Sequence, residues 1–237
     1  MKMGAIPTNL NEILKISQEY AAQNIRILAV FDLDSTLFNV SSRTQKILSE
    51  FAELHSLENL RNVEVKCEDW GIKEAVLRAG YSIENDLEML QNLREYWSAK
   101  FFTNEYLHYD VPYPGAISFV QELALTGCEI KYLTGRDQTR MGKGSMEVLE
   151  KWGFPVAENS LFLKPKKEQD DELFKQEWFR ALDHSKYKKI FFFENEPVNV
   201  NAILESHPEV EIIFLDTTHA RKQEVTVPIK RIKNFTR

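Results

Sequence analysis

Two patterns of apolar residues alternate along this chain. Ile27, Leu28, Ala29, Val30 and Phe31 form an unbroken apolar run of strand length. Such a run suits a strand covered on both faces, as in a parallel sheet. Glu129 to Leu133, Leu161 to Leu163, Lys189 to Phe193 and Val210 to Leu215 predict further strands. Between them the apolar residues recur at helical spacing. Leu10, Ile13, Leu14 and Ala21 predict a helix over 9–22, with Thr8 or Asn9 as its cap. Pro114 suits the first turn of a helix through Ala116 to Leu125, which Gly127 closes. Further helices are expected near Ser145 to Trp152, from Asp170 and Asp171 through Leu182, and from Pro197 to Glu205. Strand and helix in alternation imply right-handed β-α-β units. The expected class is α/β, with a Rossmann-like three-layer core built on a parallel sheet.

Residues 39–110 break the alternation. Ser41 or Ser42 can cap a helix with Ile47, Leu48, Phe51 and Leu54 on one face. Asp69 can cap another that ends at Gly80, and Ser82 a third carrying Ile83, Leu87, Leu90, Trp97 and Phe101. Val63 to Cys67 is short and ambiguous. Pro112, Pro114 and Gly115 mark the return to the main layer. The expected organisation is a core formed by 1–38 and 111–237, with a mainly helical cap inserted at 39–110.

Composition narrows the function classes. At 237 residues and 43% hydrophobic content the chain can bury a sizeable core. Its net charge is −6, which argues against coating nucleic acid, although a nucleic-acid end stays open as a substrate. The basic residues from Arg221 to Arg237 read more readily as a solvated edge than as a nucleic-acid patch. Two cysteines, Cys67 and Cys128, indicate no disulfide framework and no zinc pair. No apolar run is long enough for a membrane span. A soluble, cytoplasmic protein is expected, with its oligomeric state open between monomer and homodimer.

The chemistry begins where the first strand run ends, at Asp32-Leu33-Asp34-Ser35-Thr36. If the backbone stays extended, Asp32 and Asp34 project to one side while Leu33 packs back. Two neighbouring carboxylates repel, and a hard divalent cation such as Mg2+ relieves that. Open α/β sheets bind ligands beyond the carboxyl ends of their strands, which is where these acids fall. The stretch resembles the D-x-D-x-T signature of the haloacid dehalogenase superfamily, whose members are mostly Mg2+-dependent phosphatases. The resemblance implies three partner elements. The first is Thr134-Gly135-Arg136 at the second strand end. Thr134 would hydrogen-bond the phosphoryl group and Gly135 would let the backbone approach. Arg136 would pair with phosphate or form a surface ion pair. The second is a lysine, Lys164 or Lys175, with Lys175 favoured because it resembles the helix lysine of polynucleotide kinase-phosphatases. The third is Glu194-Asn195-Glu196-Pro197-Val198-Asn199, where relatives carry paired acids. Gly142-Lys143-Gly144-Ser145 is not a phosphate loop, because Asp137 stands where that motif needs glycine.

By this resemblance Asp32 is the nucleophile and forms an aspartyl-phosphate. Asp34 protonates the leaving oxygen and then activates water. Mg2+ is held by Asp32, Asp34 through its carbonyl, and Glu194 or Asn195. Thr134 and Lys175 act at the phosphoryl group, with Thr36, Gly135, Arg136 and Lys164 as further phosphate or substrate contacts. The cap selects a small phosphorylated substrate, and a few of its many aromatic residues could stack on it. A binding protein that kept the fold but little catalysis is the alternative, and a nucleic-acid-end phosphatase another.

Overall fold

The computed structural model of this protein describes residues 6–237; residues 1–5 of the expected core stretch lie outside the described residues. In chain order the core elements begin with β1 (Ile6–Pro7), α1 (Leu10–Ala21), β2 (Ile27–Phe31) and β3 (Phe38–Asn39). A helical excursion follows: α2 (Ser41–Leu54), α3 (Glu58–Arg61), α4 (Lys73–Arg78), α5 (Leu87–Phe101) and a 3-10 helix over Asn104–Tyr109. The chain returns through β4 (Val111–Pro112), α6 (Ala116–Leu125), β5 (Glu129–Asp137), α7 (Gln138–Trp152) and β6 (Leu161–Lys164). It ends with α8 (Asp171–Ala181), β7 (Lys189–Glu194), α9 (Pro197–Ser206), β8 (Glu211–Leu215) and β9 (Lys230–Ile232).

Seven strands form one sheet in the order β1-β9-β8-β7-β2-β5-β6, and every pair is parallel. The apolar run of β2 explains its central place. Ile27, Ala29 and Phe31 face a cluster with Leu10, Phe119, Val120, Val148 and Leu149, from α1, α6 and α7. Leu28 and Val30 face the opposite cluster with Phe179, Val200 and Ile203, from α8 and α9. β7 divides likewise, Phe191 and Phe193 to one side and Ile190 and Phe192 to the other. This is the expected three-layer α/β core. Chain direction across the sheet reverses at its middle. From β2 the chain moves outward to β5 and β6, then crosses back to β7 and β8. The carboxyl ends of β2, β5 and β7 therefore border the switch-point crevice where such sheets bind ligands.

Several helix starts differ from the sequence expectation. α7 begins at Gln138, well before Ser145, because the Asp137 carboxylate accepts from the Arg140 amide and caps it. Gly144 lies inside that helix. A Cβ there would come within 2.7 Å of the Asn104 carbonyl oxygen, so the glycine admits the 3-10 helix. Asp69 caps nothing: its carboxylate accepts from Arg78 and the Lys66 amide, and α4 starts at Lys73. Ser82 accepts from Asn85 in a turn, and α5 starts after Asp86. Leu54, Ile83 and Leu87, assigned to buried faces, are exposed.

β3 and β4 pair antiparallel, Phe38 with Pro112 and Asn39 with Val111. The helices between them bury a separate cluster around Leu48, Phe51, Leu60, Val76 and Leu93. The C-terminal basic residues are spread over the core edge and the excursion rather than gathered in a patch. Lys230 pairs with Glu211, Arg237 with Glu122, and Arg221 with Glu74. No helix among the described residues is long and apolar enough to cross a membrane. Both cysteines are free.

Candidate active site

Asp32 follows the last residue of β2, and its amide still donates to the Phe193 carbonyl of the neighbouring strand. The extended backbone stops there. The amides of Thr36, Leu37 and Phe38 all donate to the Leu33 carbonyl, and Ser35 takes a left-handed φ of 61°. Asp32 and Asp34 line one cavity, but a tight turn brings them there and not strand alternation. Leu33 is fully buried, as expected.

Asp32 meets a lysine and a second acid. Lys175 Nζ lies 2.8 Å from Asp32 Oδ1 and 2.6 Å from Glu194 Oε2. All three side chains are buried. Burial pushes the Asp32 carboxyl up to about 7, against the opposing pull of Lys175. Burial alone would lower Lys175, but Asp32 and Glu194 hold it above the ordinary lysine range. Lys175 reaches this position from the early turns of α8, whose start Asp170 caps through the Leu173 amide. Lys164 is placed otherwise. Its ammonium pairs with Asp171 at 2.5 Å and donates to the Gln169 carbonyl, and it does not line the cavity.

The stretch after β7 is knitted to the same floor. Glu194 Oε1 accepts from the amides of Asn195 and Glu196. Asn195 Oδ1 accepts from the Thr36 hydroxyl at 3.0 Å, and its Nδ2 donates to the Thr218 carbonyl at 2.7 Å. Thr36, expected at the substrate, is instead fully buried behind the site and orients Asn195. Glu196 Oε2 accepts from the Ala220 amide, while its buried Oε1 has no partner. The Asn195 amide is aimed by two fixed partners, so Asn195→Asp sets a carboxylate oxygen against the Thr218 carbonyl. The variant should lose about 1–3 kcal/mol of stability in metal-free urea denaturation. Unchanged stability would mean that the amide orientation is not held.

Sequence reasoning missed Arg43 and Asp110, and it named Arg136 without its partner Asp34. Arg43 of α2 and Arg136 near the end of β5 both donate to Asp34 Oδ1, at 2.9 and 2.5 Å from their Nη2 atoms. Both also donate to Asp110, Arg43 at 2.8 and 2.6 Å and Arg136 at 2.7 Å. Arg43, Asp110 and Arg136 are buried, and the Arg43 guanidinium lies 4.2 Å from the Phe101 ring centre. Burial would raise Asp34, but the two guanidiniums overcome it and hold the carboxyl well below the usual range. Arg136 is therefore neither a surface ion pair nor free for phosphate in this arrangement. One signal was available: Arg43 stands four and eight residues before Ile47 and Phe51, on the buried face of α2.

Thr134 lines the cavity, and its hydroxyl oxygen accepts from the Arg136 amide at 3.3 Å. Gly135 adjoins the Asp171 carboxylate, which a Cβ would approach to 2.5 Å; the close approach is to that side chain. The cavity has a volume of about 730 Å³. Its floor is Asp32, Asp34, Thr134, Lys175, Glu194 and Asn195, and its walls come largely from the helical excursion. Away from it, His184, His207 and Glu209 also converge: the imidazoles stack within 14° of parallel, and their Nδ1 atoms lie 2.8 and 3.5 Å from Glu209 Oε1.

No protein-family model and no curated protein matches the sequence. Solved structures do. A haloacid dehalogenase-like hydrolase from Burkholderia xenovorans LB400 is similar with a TM-score of 0.53 and 12% identity, over 89% of this chain and 94% of that one. A haloacid dehalogenase-like hydrolase from Bacteroides fragilis has a TM-score of 0.49 and 14% identity, over 88% and 96%. CbbY from Rhodobacter sphaeroides, solved in complex with phosphate, has a TM-score of 0.48 and 14% identity, over 89% and 95%. At these identities the likeness is one of fold.

Proposed function

We propose that this chain, which has the haloacid dehalogenase-like fold, is a Mg2+-dependent phosphomonoesterase with Asp32 as its nucleophile. The observation that carries the reading is the buried Asp32 carboxylate, 2.8 Å from Lys175 at the carboxyl end of a central strand. Lys175 steadies the nucleophile and faces developing phosphoryl charge. Thr134 can donate its hydroxyl to a phosphoryl oxygen.

The floor suits a hard cation. Asp32 and Glu194 are two buried carboxylates against one ammonium, and Glu196 Oε1 is buried without a partner. Asp32, the Asp34 carbonyl, Glu194 and Asn195 offer only oxygen donors, as Mg2+ prefers. When bound, Mg2+ would offset that excess charge and polarise the phosphoryl group.

In the first half-reaction an Asp32 oxygen attacks phosphorus, the ester P–O bond breaks, and the leaving oxygen takes a proton from Asp34. In the second, water attacks the aspartyl-phosphate, Asp34 accepts its proton, and phosphate departs. Arg43 and Arg136 favour ionised Asp34, the form the second half needs. The first half needs Asp34 protonated, which the same two guanidiniums oppose. The segment 39–110 is read as the cap over this floor.

The test is phosphate release from phosphorylated metabolites, nucleotides and end-phosphorylated oligonucleotides, in Mg2+ and in EDTA. Release from at least one class is expected, lost on chelation and restored by Mg2+. Phosphate binding without any release would move the protein to the binding-protein reading, which the neutral Asn195 favours.

A further inference from the structure

Resting on the phosphate-handling reading of the floor, we infer that the substrate is the phosphate ester of an alcohol with a large apolar body. The cavity of about 730 Å³ far exceeds a phosphoryl group and matches a drug-sized ligand. Charge and hydrogen-bonding groups concentrate at the floor. The wall from the excursion is rich in apolar side chains, Trp70, Ile72, Val76, Leu90, Trp97 and Phe102 among them, set beside Ser41, Thr44, Asp69, Lys73 and Arg94.

Part of this wall also belongs to the excursion's own buried cluster: Val76 is a member, and Ile72 and Leu90 pack against it. Yet Trp70 is 47% exposed, and Leu77 and Ile83, which also line the cavity, are 51% and 61% exposed. Exposed large apolar residues gathered around one concavity mark a binding surface. The aromatic part is also held in place. Trp97 donates its indole N–H to the Thr44 hydroxyl at 3.3 Å, and its ring centre lies 4.5 Å from that of Phe101 and 5.9 Å from that of Phe102. With its N–H engaged, the indole offers an apolar face.

A sugar would fit badly. Its hydroxyls lose water on entering and need partners on the wall. On the wall, Asp69 is tied to Arg78 and the Lys66 amide and the Thr44 hydroxyl accepts from Trp97, which leaves chiefly Ser41 and the exposed Lys73 and Arg94 as partners, fewer than a sugar's hydroxyls need. An alkyl or aryl body needs no such partners and gains from burial along its whole length.

Phosphonates test this without requiring turnover. Calorimetry in Mg2+ should show n-octylphosphonate and 2-(2-naphthyl)ethylphosphonate binding about tenfold or more tighter than ethylphosphonate, in competition with inorganic phosphate. The two long probes separate an alkyl from an aryl body. Trp70→Ser, at an exposed position that should not disturb folding, and Trp97→Ala should each shrink the advantage. In turnover, n-octyl phosphate should exceed glucose 6-phosphate and AMP in kcat/KM. Equal binding of long and short probes, an advantage undiminished in both variants, or preference for glucose 6-phosphate or AMP overturns the inference and leaves the phosphatase reading standing. Selective binding of the long probes with no ester hydrolysed does the reverse.

Discussion

Asp32→Asn should abolish phosphate release from every ester the wild type cleaves, a fall on the order of 10⁴-fold or more. The amide cannot form the acyl phosphate, and no other carboxylate in contact with Lys175 is free to replace it. Glu194 accepts from Lys175 and from two backbone amides. The fold should survive, because the Asn oxygen can still accept from Lys175. Stability should even gain at alkaline pH. Asp32 is pushed up to about 7 in the folded protein, above its unfolded value near 4. Between those values the folded state holds the extra proton, so stability falls as pH rises through that window. An amide removes the dependence. In EDTA, urea denaturation should find Asp32→Asn at least as stable as wild type at pH 8, with the advantage shrinking towards pH 4. Near-normal turnover by this variant would place the nucleophile elsewhere.

Arg43→Ala should destabilise the protein by about 3–5 kcal/mol, the usual cost of removing one partner from a buried ionic network. Arg43 gives two bonds to Asp110, one to Asp34 and one to the Phe101 carbonyl. Without it, two carboxylates share the single Arg136 guanidinium. The double variant Arg43→Met with Asp110→Asn should recover part of the loss, since it removes charge of both signs and keeps volume. Chemical denaturation of the two single variants and the double one measures the coupling. A loss under about 1 kcal/mol for Arg43→Ala would show that water or rearrangement compensates the site.

What the chain declared locally was largely legible. The apolar run of β2, its terminal acids and the capped start of α8 all lie within short windows, so periodicity and cap chemistry find them. Lys175 could be favoured over Lys164 only through its resemblance to the helix lysine of polynucleotide kinase-phosphatases; which lysine touches Asp32 needed the tertiary structure. The Asp34 clamp was not legible. Arg43 and Asp110 are 67 residues apart, and Arg136 and Asp34 are 102 apart. A charge reads as surface until its partners are known, and these partners meet only through folding. Caps misled within the excursion for a related reason. Asp69 and Ser82 have cap chemistry, but tertiary contacts and a local turn claim their side chains first.

The pairing of Asn39 with Val111 has a consequence for how the chain folds and varies. Those two positions lie one strand spacing apart, about 5 Å. Joining them costs closure entropy that grows only with the logarithm of the intervening length. The sheet therefore senses the whole helical excursion as a single closed loop, nearly indifferent to its size. Apart from the residues that touch the core, such as Arg43, Asn104 and Asp110, the stretch between the two points can be lengthened or shortened at small entropic cost to the strands beneath. One set of strand ends can in this way carry different enclosures while the residues at those ends stay put.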